Sequence, residues 1–137
     1  MNPGRLADPA QAQIFLAFDF GTERTGVATG NRLTLTATPR GTIAARGQAR
    51  WPALSQTIAQ WQPDALVVGI PFHPDGASHD NTDRARRFVR QLRGRFGLPV
   101  FEVDERYSTT EARAQGHQDP DAGAACIILE QFFRSLV

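Results

Sequence analysis

The chain contains no lysine: all 15 basic residues among its 137 are arginine. Against 14 acidic residues the net charge is +1, which by itself announces neither an acidic partner nor a membrane surface. Arginine offers a planar fork suited to phosphate, although a compositional bias toward arginine explains the same count. A single cysteine, Cys126, excludes an internal disulfide. It falls on the apolar stripe of the last predicted helix and is expected to be a small core hydrophobe. No apolar run is long enough to span a bilayer, so no membrane association is expected. Residues Met1 to Gln13 lack the apolar segment of a signal peptide, and a polar N-terminal tail on a cytoplasmic protein is expected. The phosphate loop GxxxxGK[ST] and the nucleophile elbow are both missing, which disfavours P-loop nucleotide hydrolysis and elbow-type acyl chemistry. His73, His79 and His117 lie in predicted loops without the close helical spacing of zinc motifs.

What the chain does have is a set of acids at the ends of predicted elements. Asp19 ends the apolar run Ile14-Phe15-Leu16-Ala17-Phe18 and is followed at once by Phe20-Gly21-Thr22. That places a carboxylate at a strand end, beside a turn where Gly21 lets backbone approach a ligand. Glu105 closes a second apolar strand, 98–105, next to Asp104, and Asp121 opens the last helix. Carboxylates from separated segments suit a hard divalent cation such as Mg²⁺. Two such ions would serve an in-line phosphoryl displacement. Each acid also has an ordinary use: Asp19 bonding its own turn, Glu105 pairing with Arg106, and Asp121 complementing a helix N-terminus.

Between these points the pattern predicts strands at 14–20, 25–29 and about 33–43, forming an antiparallel opening. A helix follows with Trp51, Leu54, Ile58 and Trp61 on one face, where both tryptophans are expected to be core. Ala65 to Ile70 is a continuous apolar run, as in a central strand covered on both faces. A helix over 81–96 turns Ala85, Phe88, Val89, Leu92 and Phe96 inward, with Arg86, Arg90 and Arg93 as a stripe beside them. That stripe is either a solvated face or, if it adjoins the carboxylates, a nucleic-acid track. Strand 98–105, a short helix near Thr109 to Ala114 and a last helix carrying Ala125, Cys126, Leu129, Phe132 and Leu136 inward complete the order βββαβαβαα. The alternation implies an α/β fold with a mixed sheet between helices, in one domain over residues 14–137.

Four motifs in order carry a family resemblance over about residues 14 to 136. They are Phe18-Asp19-Phe20-Gly21-Thr22-Glu23-Arg24-Thr25-Gly26-Val27-Ala28, Val67-Val68-Gly69-Ile70-Pro71 with Asp75-Gly76, Val103-Asp104-Glu105-Arg106-Tyr107-Ser108-Thr109 with Glu111-Ala112, and Asp121-Ala122-Gly123-Ala124-Ala125 with Ile128-Leu129. Together they resemble the YqgF-type family, described as Holliday junction resolvases and as pre-16S rRNA nucleases. The resemblance implies a ribonuclease H-like fold with a five-stranded mixed sheet in order 3-2-1-4-5. It implies Asp19, Glu105 and Asp121 as the catalytic and metal-binding triad, and it picks Glu105 over Asp104. Gly21, Thr22, Arg106 and Ser108 are implied as substrate-binding, with Mg²⁺ or, alternatively, Mn²⁺ as cofactor. The expected partner is nucleic acid, precursor rRNA or a DNA junction, and the expected assembly is a monomer or weak homodimer.

Two departures stand out. Glu23 occupies a position where the family has a basic residue, and only Ala114 to Pro120 separates Arg113 from Asp121 where the family carries a longer, often lysine-containing loop. The first expectation is a metal-dependent nuclease processing the 5′ end of pre-16S rRNA. The runner-up is a Holliday junction resolvase, and a non-catalytic RNA-binding assembly factor is a third reading, consistent with the short loop. Asp19-Phe20-Gly21-Thr22 also looks like the first phosphate motif of actin-like ATPases, but those proteins close two such domains over the nucleotide.

Overall fold

The structure, a computed structural model, describes residues 12–73, 75–78, 80–106 and 118–136. The apolar run at the start becomes β1 (Ile14–Phe20), which turns at once into β2 (Thr25–Asn31). The two are antiparallel from Ile14↔Asn31 to Phe20↔Thr25. β3 (Thr36–Ile43) adds antiparallel to β2, with a bulge between Val27 and Ala28. It starts later than the apolar pattern suggests because Leu33 and Leu35 belong to the exposed hairpin turn, where Leu35 takes a φ of +56°. A 3₁₀ turn (Gly47–Arg50) leads into α1 (Trp51–Trp61), and the central strand β4 (Ala65–Phe72) then pairs parallel with β1. α2 (Thr82–Phe96) crosses back, stopped by Gly97 at φ +64°, a left-handed position that glycine adopts without strain. β5 (Val100–Arg106) pairs parallel with β4, and α3 (Pro120–Ser135) follows. The sheet order is β3-β2-β1-β4-β5, as the resemblance implied. The short helix expected near Thr109 to Ala114 lies outside the described residues.

Strand alternation sorts the sheet into two faces. Leu16, Phe18, Val27, Leu66, Val68 and Ile70 meet Trp51 and Leu54 of α1 and Phe88, Val89 and Leu92 of α2. Phe88 is the hub, with its ring 6.0 Å from Phe18 and 5.7 Å from Trp51. Trp61 packs half-buried at the edge of that core beneath the Arg40 guanidinium, 4.3 Å from its ring. On the opposite face Phe15, Ala17, Ala65 and Val67 meet Ile128, Leu129, Phe132 and Phe133 of α3. Full burial of each large apolar side chain contributes roughly 2 kcal/mol, so both faces hold the sheet.

α3 is buried continuously from Ala122 to Leu129, well beyond the stripe the sequence suggests. The reason is placement: the helix lies over β1, β2, β3 and β4 at once, so residues on its flanks touch strands too. The predicted polar tail also ends earlier than expected. Ala12 is fully buried in the α3-side core, and the Gln13 and Ile14 amides both donate to the Asp64 carboxylate at 3.0 Å. Among the described residues no helix is long and apolar enough to cross a membrane.

Candidate acidic active site

Asp19 is next to last in β1 and shares the alternation of Phe15 and Ala17, so it belongs to the α3 face. Directly across from it in β2 is Gly26. A Cβ on Gly26 would stand 1.9 Å from the Asp121 carbonyl oxygen, so only bare backbone lets the first turn of α3 settle there. On the other flank, Gly69 follows Val68, the β4 residue that pairs with Phe18. A Cβ at Gly69 would meet Ile128 Cδ1 at 2.5 Å and Glu105 Cγ at 3.0 Å. Two glycines therefore form a floor on either side of Asp19, with Asp121 laid over one and the stem of Glu105 over the other.

The neighbours Asp104 and Glu105 are separated by the same alternation. Phe101 and Val103 pack against the α3-side core, and Glu105, two residues on, is only 4% exposed. Asp104 is exposed on the other side, as is Glu102, whose carboxylate lies 4.0 Å from Arg86 of α2. Glu105 is thus the acid on the face of Asp19 and Asp121.

Burial, and after it the nearby Asp121 charge, together push the Asp19 carboxyl up from 3.8 to about 7. Asp121 itself is held by Arg24, whose Nε lies 3.1 Å from a carboxylate oxygen. The ordinary role of capping the helix falls to a different residue. Asp119 accepts from the Ala122 amide at 3.2 Å and from the Thr42 hydroxyl at 2.7 and 2.8 Å. The Thr42 hydrogen bond, with smaller help from the Ala122 and Asp121 amides and Arg24, holds the Asp119 carboxyl below the usual range. Asp119 caps, which leaves Asp121 for the cluster with Asp19.

By charge and donor type, two close carboxylates and a third on the same face fit a hard cation. The fit is closest for Asp19 and Asp121: among the described residues, no three His, Cys, Asp or Glu side chains stand near enough to enclose an ion already.

The turn from β1 to β2 has its own logic. A Cβ on Gly21 would lie 2.6 Å from the Arg24 carbonyl oxygen, so the turn itself demands glycine. Arg50 then clamps it, with Nη1 donating to the Gly21 carbonyl at 3.0 Å and the Thr25 hydroxyl at 3.1 Å, and Nη2 to the Thr22 carbonyl at 2.9 Å. Arg50 is only 4% exposed and its guanidinium lies 4.6 Å from the Phe20 ring centroid. Burial lowers its pKa, yet an arginine so placed remains a cation at neutral pH. Sequence reasoning missed Arg50, and no local signal marks it. It also missed the glycine floor, for which a signal existed: Gly69 interrupts an otherwise buried apolar strand, the sign of a close approach. Glu23, the acidic departure, is exposed and lies 3.2 Å from Arg46. Of the remaining expected substrate residues, Thr22 is exposed on the turn, while the Arg106 side chain and Ser108 lie outside the described residues.

Of its two readings, the arginine stripe takes the solvated one: Arg86, Arg90 and Arg93 are exposed. None of the three adjoins the carboxylates, because α2 covers the other face of the sheet. They turn toward β5, where Arg86 meets Glu102 and Arg93 Nη2 donates to the Val100 carbonyl at 2.6 Å. Cys126 is 4% exposed, and burial pushes its thiol up to about 11, as befits a core residue.

A five-stranded mixed sheet in the order 3-2-1-4-5 between helices, with Asp19 near the end of its first strand, defines a ribonuclease H-like fold. The likeness extends to the RuvC resolvase of Thermus thermophilus solved in complex with a Holliday junction substrate, with a TM-score of 0.57 over 90% of this chain and 94% of that one, at 14% identity. The model of the RuvX family, described as "Holliday junction resolvase", matches residues 13–135. A protein of Polaromonas sp. is 73% identical over 127 residues, 93% of this chain and 92% of its own length, and carries the name "Putative pre-16S rRNA nuclease". A protein of Albidiferax ferrireducens with the same name is 66% identical over 135 residues, 98% of this chain and 85% of its own length. The chain belongs to the RuvX family, and with it to the nucleases of this fold.

Proposed function

We propose that this protein is a divalent-metal-dependent nuclease acting in the cytoplasm at the 5′ end of pre-16S rRNA, with Asp19, Glu105 and Asp121 holding Mg²⁺, or Mn²⁺ in its place. The observation that carries the reading is the Asp19 carboxyl raised to about 7 beside Asp121. Each unit of such a shift costs about 1.4 kcal/mol in the charged form. An arrangement that costs this much in the apo chain suits a protein whose working state has a cation there. Bound Mg²⁺ supplies an activated water and neutralises the departing oxygen of a phosphodiester.

The chain's own residues hold the geometry. β1 fixes Asp19, the bare backbone of Gly26 seats the helix turn that carries Asp121, and Gly69 leaves room for Glu105. Arg24 keeps Asp121 aimed and partly neutralised. Arg50 fixes the Gly21-Thr22 turn next to Asp19, where exposed Thr22 is offered to a phosphate. The names of the relatives support an rRNA precursor as substrate, and the family description keeps a four-way DNA junction as the competing one.

The test is cleavage of a 5′-extended 16S rRNA fragment and of a four-way DNA junction, each with Mg²⁺ or EDTA, by the wild type and Asp19→Asn. Cutting of the RNA that needs both Mg²⁺ and Asp19 is expected. Selective cutting of the junction would move the protein to recombination, and tight RNA binding without cutting would make it an assembly factor.

A further inference from the structure

On the other side of β1 from the acids lies a cleft of about 270 Å³ whose lining includes Phe20, Phe88, Arg50, Arg84 and Arg87 and no carboxylate. Phe20 directly follows Asp19, and successive strand residues point to opposite faces. The cleft and the carboxylates therefore share the end of β1, one on each side of it. Arg50 sets one wall, fixed by its bonds to the Gly21 and Thr22 carbonyls, and its buried charge makes that wall positive. Arg84 and Arg87 stand one turn apart on α2, both exposed, and neither forms a salt bridge with a described residue. Arg84 is steadied by the Asn81 side-chain oxygen, 3.0 Å from its Nη1. This row is distinct from Arg86, Arg90 and Arg93, which turn toward β5.

The chemistry of the lining selects the ligand. The partly exposed ring of Phe20 beside the exposed guanidinium forks of Arg84 and Arg87 suits a group that is part flat and apolar, part anionic. The volume approaches the smallest ligand pockets, about 300 Å³, which is room for one nucleotide and too little for a base pair. We propose that this cleft is a subsite for one unpaired nucleotide of the substrate strand next to the cut, with its phosphate held by Arg84 and Arg87 and its apolar face against Phe20. The inference rests on the nuclease reading and narrows it to substrates that are single-stranded beside the scissile bond.

The experiment uses the Asp19→Asn chain, so that affinity is read without cleavage under the proposed role of Asp19. Its affinity is measured for a short single-stranded RNA, for the same sequence as a blunt duplex and for a four-way junction, at about 50 to 200 mM salt. Adding Arg84→Ala and Arg87→Ala is expected to weaken single-strand binding roughly tenfold. It should also flatten the log affinity against log salt slope by about 1.4, two contacts at about 0.7 each. Duplex binding and the thermal midpoint should stay unchanged. Arg84→Lys with Arg87→Lys should restore most of the salt slope, and Arg90→Ala, on the other row, should change little. Equal losses for Arg90→Ala or for the duplex would overturn the subsite, as would unaltered single-strand binding in the double variant. If the Asp19→Asn chain binds none of the three nucleic acids, the nuclease reading itself fails, which is a different outcome from a subsite that makes no contribution.

Discussion

On the face covered by α1 and α2 the sheet meets its helices through bulk, with Phe18, Val68 and Ile70 against Phe88, Leu92 and Trp51, whereas under α3 it offers no side chain at Gly26, beneath the first turn, or at Gly69, beneath Ile128. The first kind of contact stabilises by area and tolerates exchange among residues of similar volume. The second fixes distance, most strictly at Gly26, where backbone meets backbone and has no rotamer through which to give way. Carboxylates that must work as a set need the second kind, and the acids of this chain are found over those glycines.

That contrast can be broken at three levels, beginning with the acids themselves. Glu105→Gln is expected to lower Mg²⁺-dependent cleavage by at least about a hundredfold, the scale for losing charge stabilisation of a transition state, while Asp104→Asn changes it only severalfold. Single-turnover rates for the two variants check this, and the reverse ranking would mean that the exposed acid does the chemistry.

The floor comes next. Gly26→Ala adds a methyl where the Asp121 carbonyl already stands, so α3 must lift or β2 must bend, at a cost of roughly 2–3 kcal/mol. Val68→Ile, on the bulky face, should cost about 1 kcal/mol. Denaturant unfolding of both measures the difference, and equal losses would show that the two faces pack alike.

The smallest effect is a dependence on pH. The Asp19 pKa in the fold lies above its ordinary 3.8, near 7, so the native state keeps a proton that the unfolded chain releases. Stability is therefore expected to fall as pH rises from about 4 to about 7 and to level off above that. Without metal, Asp19→Asn should remove this slope and raise stability near pH 8, because the buried site no longer has to hold a charged carboxylate. Thermal unfolding in EDTA across that range tests it, and an unaltered slope in Asp19→Asn would assign the titration elsewhere.

Much of the architecture is written in local pattern. The run Ala65 to Ile70 announces a strand covered on both faces, and the period of two separates Glu105 from Asp104 once one face is known to carry Phe101 and Val103. The order of the strands and the choice of triad came through family resemblance. What escapes the sequence depends on pairs of distant segments. Arg50 matters only because the 3₁₀ turn after β3 comes back to the β1–β2 turn. Asp119, rather than Asp121, caps α3 because Thr42 of β3 reaches it. Which arginine row of α2 borders a cleft depends on where α1 lies, and the helical period alone gives both rows equal standing.

The placement of Asp121 on α3 also bears on how the protein comes together in time. β1 and β2 form a hairpin from neighbouring residues, a fast and local event, whereas docking α3 onto that hairpin closes a loop that takes in most of the chain and is correspondingly slow. Until it docks, Gly26 and Gly69 lie uncovered, and Asp19 lacks the neighbour that completes its electrostatics. Both tryptophans sit on α1, on the other side of the sheet. Their fluorescence can regain its native value in a collapsed intermediate that has no competence to cut. With Asp19 and Asp121 in their proposed roles, catalytic power is then the last property to mature, and a half-folded copy carries the fold without the hazard of its activity.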